Sequence, residues 1–186
     1  MRLSTIRNLS VLVTAISLTL NAAPSFSQTQ PDKVTFYCRS MLDITSGENI
    51  PTTVAWIPER QGHIRLIGWK SEYFYRWNPQ ARCQAVTQKI QNLSNQGRFN
   101  FLATGAVNNY PVICAFASQG ESCDSNNQVF TIKPHDNPDE VLAHLLGIFE
   151  GRASKIFNQS SGQKRTLSVN SYFQKAPLIE IPTSSK

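Results

Sequence analysis

The sequence lacks the short motifs by which most enzymes and metal sites are identified. It has three histidines and four cysteines in 186 residues, and no C-x-x-C pair. A zinc site built from paired cysteines and a thioredoxin-like redox motif are therefore not predicted. The glycine motif of dinucleotide sites, the P-loop and the G-x-S-x-G elbow of hydrolases are also missing. We predict no catalytic residue, no cofactor and no metal ligand.

Long hydrophobic runs are missing too, apart from one near the N-terminus. Two arginines precede an apolar stretch over residues 9–20, and small residues follow it. This order is typical of a secretory signal peptide, and the stretch is too short to span a bilayer. Cleavage after Ser27 is predicted, because cleavage after Ala23 would place Pro24 first. An uncleaved membrane anchor is the alternative.

Acidic residues are missing from residues 1–27 and scarce towards the C-terminus. Residues 28–150 contain 10 Lys or Arg and 11 Asp or Glu, whereas residues 151–186 contain six basic residues and one acidic residue. A nearly neutral body argues against a nucleic-acid partner. The basic C-terminal segment could contact an anionic membrane surface, where each Lys or Arg contributes about 1 kcal/mol. A solvated tail is the alternative.

Several short segments have the alternation of β-strands. "KVTFYCRS" places Val34, Phe36 and Cys38 on one face, and "IPTTVAWIP" and "HIRLIGWKS" follow with a turn at "PERQG" between them. "RFNFLATG", "YPVICAF" and "QVFTIKP" predict three more strands. A last strand is predicted through Leu167 and Val169.

Two helices are predicted, each beginning with Asn-Pro. Asn78 caps the first, Pro79 takes its first position and Gly97 ends it. Asn137 caps the second, within "HDNPDE". The apolar stripe predicted for the first helix consists of Cys83, Val86, Ile90 and Leu93.

These elements predict an α+β domain over residues 28–177, after a signal peptide at 1–27 and before a polar, basic tail at 178–186. Its mostly antiparallel sheet has about six or seven strands, with the two main helices on one face. The stretch 153–162 is predicted to be a loop or an irregular extension of the second helix.

The four cysteines of an exported chain predict two disulfides. Cys114 ends one strand and Cys123 precedes the next, while Cys38 and Cys83 lie on apolar faces that would pack together. Cys38–Cys83 with Cys114–Cys123 is therefore preferred. The alternatives are Cys38–Cys114 with Cys83–Cys123, and Cys38–Cys123 with Cys83–Cys114. Loop entropy gives about 4 kcal/mol for the long loop and about 2.7 kcal/mol for the short one.

The remaining polar candidates are better explained by structure than by chemistry. His63, His135 and His144 are expected to be surface or cap histidines. The acids of "HDNPDE" could act in acid–base catalysis, but the start of a helix already accounts for them.

Aromatic residues are concentrated near the first helix. Exposed members of "EYFYRW", namely Tyr73, Phe74, Tyr75 and Trp77, could form a contact surface for a ligand or partner. Core packing is the alternative.

The order of "FYCRS", "RCQAV", "LATGAVNNYPVICA" and "VFTIKPHDNPDEVLAHL" resembles the circadian oscillating polypeptide family of cyanobacteria. The likeness covers roughly residues 34–150, and all four cysteines match it. It implies an exported, membrane-associated or lumenal protein whose abundance follows the daily cycle. It supplies no catalytic residues.

The function favoured by the sequence is a non-enzymatic, disulfide-stabilised extracytoplasmic domain that associates with a membrane surface or an envelope partner. The periplasm, the thylakoid lumen and secretion are all compatible with it. An extracytoplasmic hydrolase with a dispersed site and a small-ligand carrier are the alternatives.

Overall fold

A computed structural model describes residues 31–70, 73–74, 77–150 and 166–181, without the side chains of residues 144 and 146–150. The predicted signal peptide, the predicted loop at 153–162, Tyr75 and residues 182–186 lie outside the described residues.

The first sheet is an antiparallel meander. Its strands are β1 (Thr35–Asp43), β2 (Glu48–Ile57) and β3 (Gly62–Gly68), in that order. The predicted turn between β2 and β3 is present, as a 3₁₀ turn followed by Gln61 in the left-handed region at φ 46°. β2 is buried along most of its length, because it is the central strand and lies beneath the first helix.

Helix α1 (Pro79–Asn95) packs on β1 and β2. Its predicted ends are confirmed. The side chain of Asn78 accepts a hydrogen bond from the Ala81 amide at 2.8 Å, and Gly97 follows the helix at φ 68°. The four residues of the predicted apolar stripe are buried, together with Arg82 and Thr87.

The second sheet contains the remaining strands. These are β4 (Phe101–Val107), β5 (Tyr110–Phe116), β6 (Gln128–Thr131) and β7 (Thr166–Ser168) in the antiparallel order β6-β5-β4-β7. Helix α2 (Pro138–Glu150) packs on β4 and β5. The predicted Asn137 cap is present, since its side chain accepts a hydrogen bond from the Asp139 amide at 3.0 Å.

A third helix, α3 (Val169–Lys175), stands where the last strand was predicted to continue. The strand ends at Ser168, whose side chain accepts a hydrogen bond from the Ser171 amide at 3.3 Å. Val169 is therefore the first residue of the helix, and its side chain is buried in the core. Serine is a favoured cap because its oxygen satisfies an amide that has no partner within the helix.

The α+β class is confirmed, with seven antiparallel strands in the described part of the chain. They form two sheets. Helix α1 packs mainly on the first sheet and also contacts β6, and α2 packs mainly on the second sheet and also contacts β3. One core cluster joins both sheets and all three helices, and includes Ile64, Ile90, Ile113 and Leu142. A smaller apolar cluster around Val112 and Phe116 lies apart from this core.

Both preferred disulfides are present. Cys38 is bonded to Cys83 and joins β1 to α1, and Cys114 is bonded to Cys123 and joins β5 to the loop before β6. The Cα atoms are 5.7 Å apart in each pair. Two such bonds are typical of an oxidising extracytoplasmic compartment.

Residues beyond the predicted boundary at 177 also contact the domain. The Ile179 amide donates a hydrogen bond to the His63 carbonyl at 2.8 Å, forming an isolated antiparallel bridge to β3.

Candidate functional site

A concave, largely aromatic surface lies between α1 and β6, and we refer to it as the aromatic groove. It consists of two adjoining hollows of about 420 and 460 Å³ that share Phe74, Trp77, Tyr110 and Thr131. One wall is a single face of α1, with residues 82, 85, 86 and 89, and the other is β6. The exposed fraction is 51% for Tyr73, 54% for Trp77 and 57% for Tyr110, so three aromatic rings stand at the mouth.

The start of α1 positions the first aromatic group. Asn78 caps the helix, and the Trp77 amide donates a hydrogen bond to the Phe74 carbonyl at 2.7 Å. The rings of Tyr73 and Phe74 pack edge to face, with centroids 5.1 Å apart. The polar turn that begins the helix thus presents these rings beside the helix.

Tyr110 reaches the mouth through a two-residue hairpin between β4 and β5. Asn108 and Asn109 have φ values of 50° and 64°, and Val107 pairs with Tyr110. Two positive φ angles in a two-residue hairpin define a type I′ turn, which asparagine tolerates better than most residues. The "NNY" of the sequence therefore specifies both the turn and the place of the tyrosine.

Arg82 forms part of the floor. Its guanidinium stacks on the rings of Trp69 at 5.5 Å and Phe74 at 5.6 Å from the ring centroids. Burial lowers the pKa of Arg82 from its usual value. The Trp69 indole in turn donates to Thr53 at 3.0 Å and packs edge to face on Phe130. The floor is thereby connected to both sheets.

Lys89 lies about two helical turns beyond Arg82, on the same face of α1. Its Nζ donates to the Ser125 carbonyl at 3.4 Å, where α1 touches the loop before β6. Burial lowers the pKa of Lys89, and the nearby Asp124 carboxylate acts in the opposite direction. Among the described lining residues, Arg82 and Lys89 are the charged ones, and Asp124 lies just outside the lining near Lys89.

The second disulfide fixes the loop that leads to β6. The Asp124 carboxylate accepts hydrogen bonds from the amides of Asn126 at 2.7 Å and Asn127 at 3.0 Å, which lower the pKa of Asp124. Cys123 packs against Gly105 of β4 so closely that a Cβ at this glycine would lie 2.8 Å from the Cys123 Cβ and nearer still to its Sγ. The glycine of "LATGAVNNYPVICA" thus provides space for the disulfide.

Three of the four residues predicted to form a contact surface lie together in the structure. Tyr73, Phe74 and Trp77 come together at the groove, whereas Tyr75 lies outside the described residues. Sequence reasoning missed Tyr110 and the two basic residues of α1. The Asn-Asn turn could have placed Tyr110 at a hairpin end, but nothing local could show that this hairpin ends beside α1.

The histidines do not line the groove where the structure describes them. The His63 ring packs against Trp56 with centroids 4.9 Å apart, and burial, together with the charge of Arg39, lowers the pKa of His63. His135 is exposed next to the start of α2, and the side chain of His144 lies outside the described residues. No described residue lining the groove is a histidine, cysteine, serine or acid.

The core cavity between the sheets measures about 20 Å³, which is less than a small organic ligand requires. No cluster of three or more potential metal-ligating side chains occurs among the described residues. None of the helices described has the length and apolar character needed to cross a membrane.

Fold and groove together define a disulfide-bonded α+β domain with a surface suited to binding. Comparison with known families gives its membership: the family model for the circadian oscillating protein COP23 matches residues 35–174. The chain belongs to this family. Neither a curated protein nor a solved structure matches the chain.

Proposed function

We propose that this protein is a non-catalytic binding domain of an extracytoplasmic compartment, and that it attaches to an envelope partner through the aromatic groove. The observation that carries the proposal is the set of exposed rings at the mouth of one concave surface, where Trp77 and Tyr110 are each more than half exposed. Aromatic residues dominate binding energy at interfaces because they bury a large area with little loss of side-chain entropy.

Three features favour binding over the two alternatives. The described lining of the groove has no histidine, cysteine, serine or carboxylate, the side chains on which most hydrolases rely. The core cavity of about 20 Å³ leaves no room for a ligand carried between the sheets. The two disulfides fit a domain that must remain rigid outside the cytoplasm.

A protein partner is favoured over a bare membrane surface by the shape of the site. A ring that inserts into lipid must project from a convex surface, whereas these rings line a hollow between α1 and β6. A protruding chain of another protein can enter such a hollow.

The test is co-sedimentation of the purified, oxidised protein with envelope membranes. We expect the double variant W77A/Y110A to lose at least about tenfold in affinity, as expected when central aromatic contacts are truncated. The matched control is I44A, because Ile44 is 90% exposed in the turn between β1 and β2 and lies away from the groove.

Membranes treated with protease and vesicles of extracted envelope lipid distinguish the partners. We expect wild type and I44A to bind untreated membranes and neither of the two protein-free surfaces. Binding of W77A/Y110A at the wild-type level, or equal binding of wild type to lipid vesicles, would overturn the proposal.

A further inference from the structure

The edges of the two sheets are protected to different degrees. The start of the β1 edge is covered by α1, where the Phe36 amide donates to the Gln91 side chain at 2.8 Å. The edge of β3 is covered by the bridge from Ile179 to His63. β7 is only three residues long. β6 ends its sheet, and within the described residues no strand pairs with its outer side.

The groove lies along this outer side of β6. The Ile132 amide donates to the Pro111 carbonyl at 2.8 Å, and the next residue back, Thr131, pairs with Val112. Amides in an antiparallel ladder point alternately towards the partner strand and away from it. The Thr131 amide therefore points away from β5, into the groove, where it can pair with another chain.

The opposite wall adds charge. Lys89 lies on the face of α1 that lines the groove, and no described lining residue is acidic. An extended chain placed along the outer side of β6 would therefore have its main chain at the strand and the Lys89 ammonium beside it. A carboxylate on that chain would complement Lys89, in competition with the Asp124 carboxylate of the loop before β6.

We propose that the groove binds an extended, acidic segment of the partner protein, which adds to the second sheet as a strand paired with β6. Strand addition supplies affinity through main-chain hydrogen bonds, while pockets for alternate side chains supply specificity. Here Trp77 and Tyr110 form such pockets at the mouth, and Lys89 attracts the acidic group. The inference rests on the proposed function and names the chemistry of its partner.

The test begins with panning of phage-displayed random heptapeptides on the oxidised protein. We expect enriched sequences that contain Asp or Glu, and no such enrichment on the T131P variant. Proline removes the outward amide but leaves pairing with β5 intact, so it is tolerated at this position of an edge strand. The matched control is T131V, which keeps the amide and, like T131P, loses the 2.9 Å hydrogen bond between the Gln128 and Thr131 side chains.

The best synthetic peptide is then titrated by fluorescence anisotropy. We expect T131P to weaken binding at least tenfold and T131V to change it less than twofold. K89E should weaken binding and K175E should not, because K175E makes the same charge change at an exposed residue of α3 that does not line the groove. N-methylation of alternate peptide residues should abolish binding to wild type, which tests strand pairing even if T131P folds poorly.

Equal binding by T131P and T131V, unaffected affinity of the N-methylated peptide, or no enrichment on wild type would overturn strand addition. The membrane assay separates this failure from that of the proposed function. If envelope binding is lost in W77A/Y110A but kept in T131P, strand addition is wrong and the groove remains the contact site. If neither variant affects envelope binding, both proposals fail.

Discussion

The outer edges of β3 and β6 differ in what lies beside them. A later segment of the chain forms a bridge to β3, whereas no described strand pairs with the outer side of β6. At β3, Ile179 supplies a main-chain hydrogen bond, and Leu178 packs so tightly that a Cβ on Gly62 would lie 2.7 Å from its Cδ2. At β6, the neighbouring element is α1, which contacts the strand, and a groove with exposed rings opens beside this contact. The chain thus closes one edge with its own residues and leaves room at the other.

This difference indicates what each edge is for. Exposed strand edges invite pairing with other chains, so proteins usually cover, shorten or charge them. β6 has only four residues and lies beside Lys89, which limits unwanted pairing without covering the edge. The open edge can therefore be kept for one partner, while the longer β3 is closed.

Breaking the disulfides should have the largest effect, because each one anchors one wall of the groove. Cys38–Cys83 holds α1, and Cys114–Cys123 holds the loop before β6. We expect the free energy of unfolding to fall by about 4 kcal/mol in C38A/C83A and by about 2.7 kcal/mol in C114A/C123A, because the first bond closes the longer loop. Urea unfolding monitored by circular dichroism measures both.

Wild type unfolded under reducing conditions is the control, and it should lose more stability than either double variant. A larger loss in C114A/C123A than in C38A/C83A would contradict this order.

A smaller loss is expected from G105A, which tests how the loop before β6 is seated. The added methyl group would overlap Cys123, so the loop or β4 must shift, and we expect a loss of about 1–3 kcal/mol in the free energy of unfolding. In the C114A/C123A background the same substitution should cost less, since the sulfur is gone and only the Cβ at position 123 remains in close contact. Equal losses in both backgrounds, measured by urea unfolding, would show that the disulfide is not what the glycine accommodates.

Opening the β3 edge should have a still smaller effect on stability. A chain that ends at Pro177 lacks the Ile179 hydrogen bond and the Leu178 contact, and we expect it to lose about 1 kcal/mol. With its edge exposed, β3 should also pair between molecules, so sedimentation velocity should show concentration-dependent dimers. I179A, which keeps the main-chain bond, should remain monomeric at the same concentrations. If the truncated chain stays monomeric, then exposing the β3 edge does not cause pairing between molecules, and the proposed difference between the covered β3 edge and the open β6 edge is contradicted.

The smallest effect is expected from the protonation of His63, which lies on the covered edge. Burial and Arg39 hold the pKa of His63 below its ordinary value of 6.5, so the unfolded chain binds the proton first as the pH falls. The free energy of unfolding should therefore decrease as the pH is lowered from 6.5 towards the pKa in the folded state, and this decrease should stop below that pKa. In H63Q this part of the pH dependence should vanish. An unchanged slope, measured by urea unfolding between pH 4 and 7, would contradict the assignment.

The fold follows from the sequence as far as local chemistry decides it. Asn78, Gly97 and Asn137 mark helix ends because caps act within one turn, and the cysteine pairing follows from the apolar faces that carry them. Ser168 is a cap of the same kind, but a short strand leading into a short helix has no repeating pattern, so α3 was not predicted.

The groove could be predicted only in part, because it depends on how distant elements meet. The rings next to Asn78 are visible in the sequence, but Tyr110 joins them through packing of the second sheet beside α1. Arg82 sits next to the predicted apolar stripe and would be expected in solvent. It is buried because Trp69 and Phe74 provide aromatic faces for its guanidinium. The division of seven strands into two sheets is likewise set by long-range packing.

Amide hydrogen exchange followed by NMR on the free, oxidised protein tests the open edge of β6 most directly. The Ile132 amide donates to the Pro111 carbonyl, whereas the Thr131 amide points into the groove. We predict slow exchange at Ile132 and at the Ile179 amide that covers β3, and exchange at least tenfold faster at Thr131. Protection of Thr131 equal to that of Ile132 would show that the β6 edge is already occupied and would contradict the account.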